Sequence, residues 1–96
     1  MSKYNSVLID LSDNVITTLH NIEEGQGLTA IGLDTRIVAR QNIIKGHKVA
    51  INNIAKGETI IKYGKNIGSS ICDILAGEHV HIHNIKSNRG KELKEE

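Results

Sequence analysis

The sequence predicts a mainly β domain, rich in turns, with one short helix. Three observations point there. The apolar content is β-branched: Ile occurs 16 times among the 96 residues, and Phe, Trp and Pro are absent. Stiff side chains of this kind suit the pleated surface of a sheet. Short runs alternate between apolar and polar residues, the period of a strand. A unit of the form Asn/Asp-Ile-x-x-Gly occurs four times, at 21–25, 42–46, 53–57 and 73–77. In such a unit Asn or Asp bonds its own backbone and starts a turn, Ile plugs the turn into a core, and Gly ends it at positive φ. The glycines lie 21, 11 and 20 residues apart. That is too irregular for a solenoid, but the long-short-long order suggests two similar halves.

In chain order, the first element is a helix over Asp13 to His20. Asp13 or Asn14 can cap it, and Val15 and Leu19 lie one turn apart. A helix this short depends on tertiary packing to exist. Ile31 to Ala39 reads as a further strand or two. After Gly46, Val49 and Ile51 alternate with Lys48, Ala50 and Asn52. After Gly57, the run Thr59-Ile60-Ile61-Lys62-Tyr63 is rich in β-formers and closed by Gly64. After Gly77, Val80 and Ile82 alternate with His79, His81 and His83. In each alternating run one set is expected to point inward and the other outward. Residues 1–86 therefore read as one domain, and 87–96 as a polar, charge-mixed tail.

Charge and size exclude several classes of function. Lys and Arg number 12 against 11 Asp and Glu, a net charge of +1. That leaves no electrostatic footprint for nucleic acid, and two Tyr offer bases almost nothing to stack on. The longest apolar runs, such as Val7-Leu8-Ile9, reach about three residues. A membrane-spanning helix needs about 20, and a signal peptide an apolar run of about 7–15. The single cysteine, Cys72, cannot form an internal disulfide and is expected as a small buried hydrophobe. The chain therefore reads as cytoplasmic. At this length a deep enclosed pocket within one copy is not expected.

Three segments carry side chains able to do chemistry. His79-Val80-His81-Ile82-His83-Asn84, read as a strand, projects three imidazoles from one face. Such a set can ligate a divalent metal given a third ligand, or form a polar, partly solvated face. Gly46-His47-Lys48 sits at a loop–strand junction. There His47 can transfer a proton or bind metal and Lys48 can hold a carboxylate, or the pair can be an ordinary solvated turn. In Lys62-Tyr63-Gly64, Gly64 allows a ligand close to the backbone, whereas Tyr63 can equally fill the core beneath a turn.

The ordered motifs resemble a known family. Gly46-His47-Lys48, Ala50, Ile54, Gly57-Glu58, Ile61-Lys62-Tyr63-Gly64, Ile67-Gly68, Asp73-Ile74, Gly77-Glu78 and His81-Ile82-His83-Asn84 are similar to the SAF domain of the altronate and galactarate dehydratases. Asp13-Asn14-Val15, Leu19 and Ile22-x-x-Gly25 match the family's opening segment, so the likeness covers about residues 7–86. It implies a β-clip fold with pseudo-two-fold halves. It also implies a metal-dependent hydro-lyase acting on a 2-hydroxy carboxylate. The domain precedes a much larger catalytic portion in the altronate and galactarate enzymes and is a separate subunit in the sulfolactate sulfo-lyases. Ending at Glu96, this chain reads as such a small subunit, inactive without its large catalytic partner and able to self-associate in isolation.

The resemblance implies His47, His81 and His83 as catalytic candidates, with His81 and His83 also as metal ligands. It implies Lys48, Lys62, Tyr63, Gly64 and Asn84 as substrate-binding candidates. The metal implied is iron(II) or manganese(II), held mainly with the partner subunit. The family commonly has an aromatic or other large residue where this chain has His79, so His79 is left out of the site, and His20 reads as a solvated residue at a helix end. Elimination of sulfite from sulfolactate is the alternative reaction. A non-catalytic sugar-acid binding module, of the kind found on similar folds, is the alternative from another class.

Overall fold

Residues 4–87 are described by the computed structural model, and they form nine short strands. These are β1 (Ser6–Val7), β2 (Val15–Thr18), β3 (Gly27–Leu28), β4 (Ile37–Val38), β5 (Lys48–Ala50), β6 (Thr59–Lys62), β7 (Lys65–Ser70), β8 (His79–Val80) and β9 (Ile85–Ser87). They pair antiparallel in three sheets: β1-β2-β5-β8, β3-β4 and β6-β7-β9. The mainly β expectation holds.

The expected helix does not form. Val15–Thr18 is a central strand, paired with β1 through Thr17 and Thr18 and with β5 through Val15, Ile16 and Thr17. The reason is burial on two faces. Val15 and Ile16 are both buried, and these adjacent residues enter different cores. A strand sends neighbours to opposite faces, which a helix does not. Asp13 caps no helix; its carboxylate accepts the N–H groups of Tyr63 and Gly64 instead. No helix occurs among the described residues, so none there is long and apolar enough to cross a membrane.

The two cores are aliphatic. One gathers Ile16, Ile22, Leu28, Ile37, Ala39, Ile43 and Val49. The other gathers Val15, Ala50, Ile54, Ile60, Ile74 and Val80. β5 lies between them, so Val49 and Ala50 are both fully buried and Ala50 is not the outward residue that simple alternation gives. Ile82 departs further: it is 80% exposed, because β8 stops at Val80 and residues 81–84 turn. Cys72 is exposed rather than buried. Of Ile31 to Ala39, only Ile37–Val38 is strand, and Ile31 lies on an exposed turn. Of the tail expected over 87–96, residues 88–96 lie outside the described residues.

The four Asn/Asp-Ile-x-x-Gly units work in pairs. Ile22 and Ile43 exchange both backbone hydrogen bonds, as do Ile54 and Ile74, and all four side chains are buried. The Asn and Asp side chains do not serve their own units, as expected, but those of their partners. Asn21 accepts from Lys45 N–H and Asn42 from Glu24 N–H; Asn53 accepts from Ala76 N–H and Asp73 from Lys56 N–H. Each glycine has the expected positive φ, between 88° and 94°. The path strand–unit–hairpin–unit–strand runs from β2 to β5 and again from β5 to β8. The two halves thus share β5.

Candidate functional site

The histidines come together because two strands are short and antiparallel. Lys48 pairs with Val80 and Val49 with His79. One step beyond this register, His47 just before β5 faces His81 just after β8. His79 lies two residues before His81, on the same face. The ring centroids of His47 and His81 are 4.3 Å apart, those of His47 and His79 5.0 Å, and those of His79 and His81 5.4 Å. His47 Nδ1 lies 2.8 Å from His79 Nε2, one ring donating and the other accepting. One ring nitrogen from each of the three lies within 4.8 Å of the other two. All three are half-buried.

Local structure fixes the backbone that carries each ring. The hydroxyl of Thr18 accepts from Gly46 N–H and donates to the Ile44 carbonyl, and Thr18 N–H donates to the His47 carbonyl. That fastens the turn carrying His47 to β2. Buried Asn84 accepts from His81 N–H through its side-chain oxygen and donates to the His79 carbonyl through its amide. It therefore sets the spacing of the two histidines. Gln41 accepts the backbone N–H of His79.

The electrostatics are those of crowded nitrogen bases. Burial pushes His79 down to about 4, reinforced in turn by His83, His47, His81 and Lys48. Burial also lowers His81, followed by His47, Lys48 and His83. Lys48 is lowered by burial and then by Lys62. A positive charge is costly beside others and away from water. At neutral pH His79 and His81 therefore present lone pairs, suited to accepting a proton or binding a cation.

The structure divides the expected residues. His47 and His81 gather in one place, Lys48 acts on His79 and His81 by its charge, and Lys62 acts on Lys48. Exposed His83 stands beside the cluster, its ring tilted and 5.1 Å from that of His79. It is outside the set of three converging nitrogens. His79, left out on sequence grounds, is inside it. Its signal was the i, i+2 spacing with His81. Thr18 and Gln41 carry no signal in the sequence; only folding brings them to the site.

Tyr63 and Gly64 form the two-residue turn between β6 and β7, with φ of 59° and 71°. Both positive values match the turn that follows strand twist. Tyr63 is exposed rather than in the core, and the Lys62 ammonium lies 4.6 Å from its ring centroid. The amides of Tyr63 and Gly64 are held by Asp13. Asn84 likewise directs its amide to the backbone. Asn84 thus braces the cluster, while Tyr63 and Gly64 belong to a hairpin turn anchored on Asp13.

Comparison with known proteins agrees with this geometry. Residues 4–88 match the family model described as the altronate/galactarate dehydratase SAF domain. The chain is 43% identical over 83 residues to altronate dehydratase from Escherichia coli, covering 85% of this chain and 16% of that protein. It is 39% identical over 88 residues to (2R)-sulfolactate sulfo-lyase subunit alpha from Chromohalobacter salexigens, covering 86% of this chain and 94% of that subunit. A second subunit alpha, from Paracoccus pantotrophus, is 42% identical over 62 residues, covering 65% of this chain and 92% of that subunit. The chain thus spans a small share of the altronate dehydratase and most of each sulfo-lyase subunit. With the turn units, the His47-Lys48 junction and the His81–Asn84 turn on one scaffold, the chain belongs to the altronate/galactarate dehydratase SAF-domain family.

Proposed function

We propose that the chain is the small subunit of a two-part hydro-lyase that dehydrates a sugar acid of the altronate type. The observation that carries this reading is the convergence of His47, His79 and His81 beside Lys48, in a chain related to altronate dehydratase. The active site would be shared with a large catalytic subunit, and the small chain would be inactive alone. The nearly full-length match to sulfo-lyase subunit alpha supports a small-subunit role.

The substrate class carries a carboxylate, a hydroxyl and a C–H on C2, and a leaving group on C3. In dehydration the C2 proton goes to a base, its electron pair forms the C2–C3 double bond, and hydroxide leaves C3. The resulting enol becomes a 2-keto acid. The ring of His83, beside the cluster and outside its three converging nitrogens, is suited to take the proton. Lys48, with Lys62 behind it, is suited to hold the carboxylate as a point charge. A divalent cation, when bound, would stabilise the negative charge that develops at the carboxylate end. Of the two ions the family implies, iron(II) fits imidazole donors better than manganese(II), which prefers oxygen.

Sulfite elimination from sulfolactate uses the same C2 chemistry with a different leaving group. The span of the match to subunit alpha favours it as the second reading. The test is reconstitution with the large subunit and assay on altronate, galactarate and sulfolactate. His83→Ala should lower kcat at least about a hundredfold, the lower range for loss of a general base. Activity within about threefold of the parent, a barrier change of about 0.65 kcal/mol, would overturn the assignment. Turnover by the isolated chain would overturn the two-part reading.

A further inference from the structure

We infer that this chain by itself binds one divalent transition-metal ion, on His47, His79 and His81. The inference goes beyond the proposed reaction, because the site is complete in these residues whatever enzyme the chain serves.

The turn units supply the first argument. In three of the four, the residue after the glycine folds back onto its own turn. Gln26 accepts from Glu23 N–H, Glu58 from Ala55 N–H and Glu78 from Leu75 N–H. In the remaining unit that position is His47, and its ring meets His79 and His81 instead. A repeated local rule is broken at one place only, and the side chain released there joins two others of the same kind. Departures of this sort mark functional positions.

Ligand chemistry supplies the second. Each neutral imidazole has one N–H and one lone pair. His47 and His79 can satisfy one donor and one acceptor between them. An anion would need protonated rings, and three imidazoliums at these separations repel. A cation instead takes a lone pair from each ring. The three nitrogens lie within 4.8 Å of one another and would close to about 3.3 Å around one tetrahedral ion. A set of imidazoles with no carboxylate favours zinc(II), cobalt(II), nickel(II) or iron(II) over magnesium, calcium or manganese(II). Three protein ligands leave a position open to water or a ligand oxygen.

Support around the rings is the third. Asn84 holds the backbone on both sides of Val80, Gln41 holds His79, and Thr18 holds the turn of His47. These contacts hold the backbone from which the three rings project, and a metal site needs its ligands on rigid elements.

The experiment titrates the metal-free 96-residue chain with cobalt(II), read by its visible d–d absorption, and then displaces the cobalt with zinc(II). The expected result is one equivalent of cobalt bound and displaced by zinc, with magnesium and manganese(II) unable to compete. His47→Gln places at 47 the residue type that the first unit carries at 26, so the fold has its own precedent for it. This variant and His79→Gln should each weaken cobalt binding at least tenfold, with thermal unfolding used to verify the fold. His83→Gln and His20→Gln should stay within threefold. Absence of saturable one-equivalent binding overturns the site, as does undiminished binding by His47→Gln or loss through His83→Gln. A chain that binds no ion yet supports elimination with the large subunit overturns this site alone. One that binds the ion but supports no elimination overturns the proposed function alone.

Discussion

His79 shows how much one side chain depends on its neighbours. Its ring is pushed down to about 4 from an ordinary value of 6.5, first by burial and then by the surrounding nitrogen bases. Between those values the unfolded chain binds a proton that the folded chain does not. Stability therefore rises with pH across this window. The contribution is fully present above about 6.5 and is lost as pH falls through about 4. In metal-free buffer, the thermal midpoint should fall from pH 7 to pH 4.5 more in the parent than in His79→Phe, which has no ring proton to gain. Equal slopes in calorimetric scans of the two proteins would rule this out. The result bears on function, since the same crowding disfavours the protonated rings of His79 and His81 at neutral pH.

The β6–β7 hairpin depends on a residue 50 positions away. Tyr63 adopts a left-handed φ of 59°, uncommon for a residue with a side chain. The carboxylate of Asp13 offsets that cost by accepting Tyr63 N–H at 3.0 Å and Gly64 N–H at 2.7 Å. It also accepts Asp10 N–H at 3.2 Å. Bonds to a charged acceptor each contribute about 1.5–3 kcal/mol, less where water can replace them. Asp13→Ala should destabilise the chain by about 2 kcal/mol in urea unfolding, because the exposed turn can turn partly to water. A loss below about 0.5 kcal/mol would show that the hairpin holds itself. The turn is legible in Lys62-Tyr63-Gly64, but its clamp, Asp13, reads in the sequence as a helix cap. Asp just before an apolar run fits either role, and only pairing across the chain chooses between them.

At the scale of the molecule, the two halves meet where the fourth unit crosses β4. Arg40 N–H donates to the Gly77 carbonyl, and a Cβ on Gly77 would overlap the carbonyl oxygen of Val38. Gly25 has nearly the same φ, 91° against 94°, yet a Cβ there meets nothing within 4 Å. Comparing the two separates backbone strain from close approach. Gly25→Ala should cost about 1–2 kcal/mol, the left-handed penalty alone. Gly77→Ala should cost at least about 3 kcal/mol, with the backbone clash added. Equal losses by chemical denaturation would mean that the halves do not press together at Gly77.

The sequence by itself determined the chemistry of the parts. Sixteen isoleucines and the absence of Phe and Trp required an aliphatic, strand-built core. Four glycine turns with positive φ, and two halves, were legible from the repeated unit. So were His47, Lys48 and His81 as candidates for the site. These features are local: a turn, a β-branched run or an i, i+2 spacing carries its physics within a few residues. What only the tertiary structure decided was pairing. It made Asn21 serve the turn of Asn42 and Asn53 that of Asp73. It turned Val15–Thr18 into a strand with a core on each face. It ended β8 at Val80, leaving Ile82 in solvent, and brought His79 into the cluster. Each of these outcomes rests on a partner roughly 20 or more positions away. A local pattern states what a segment can do, and antiparallel register states which other segment it does it with.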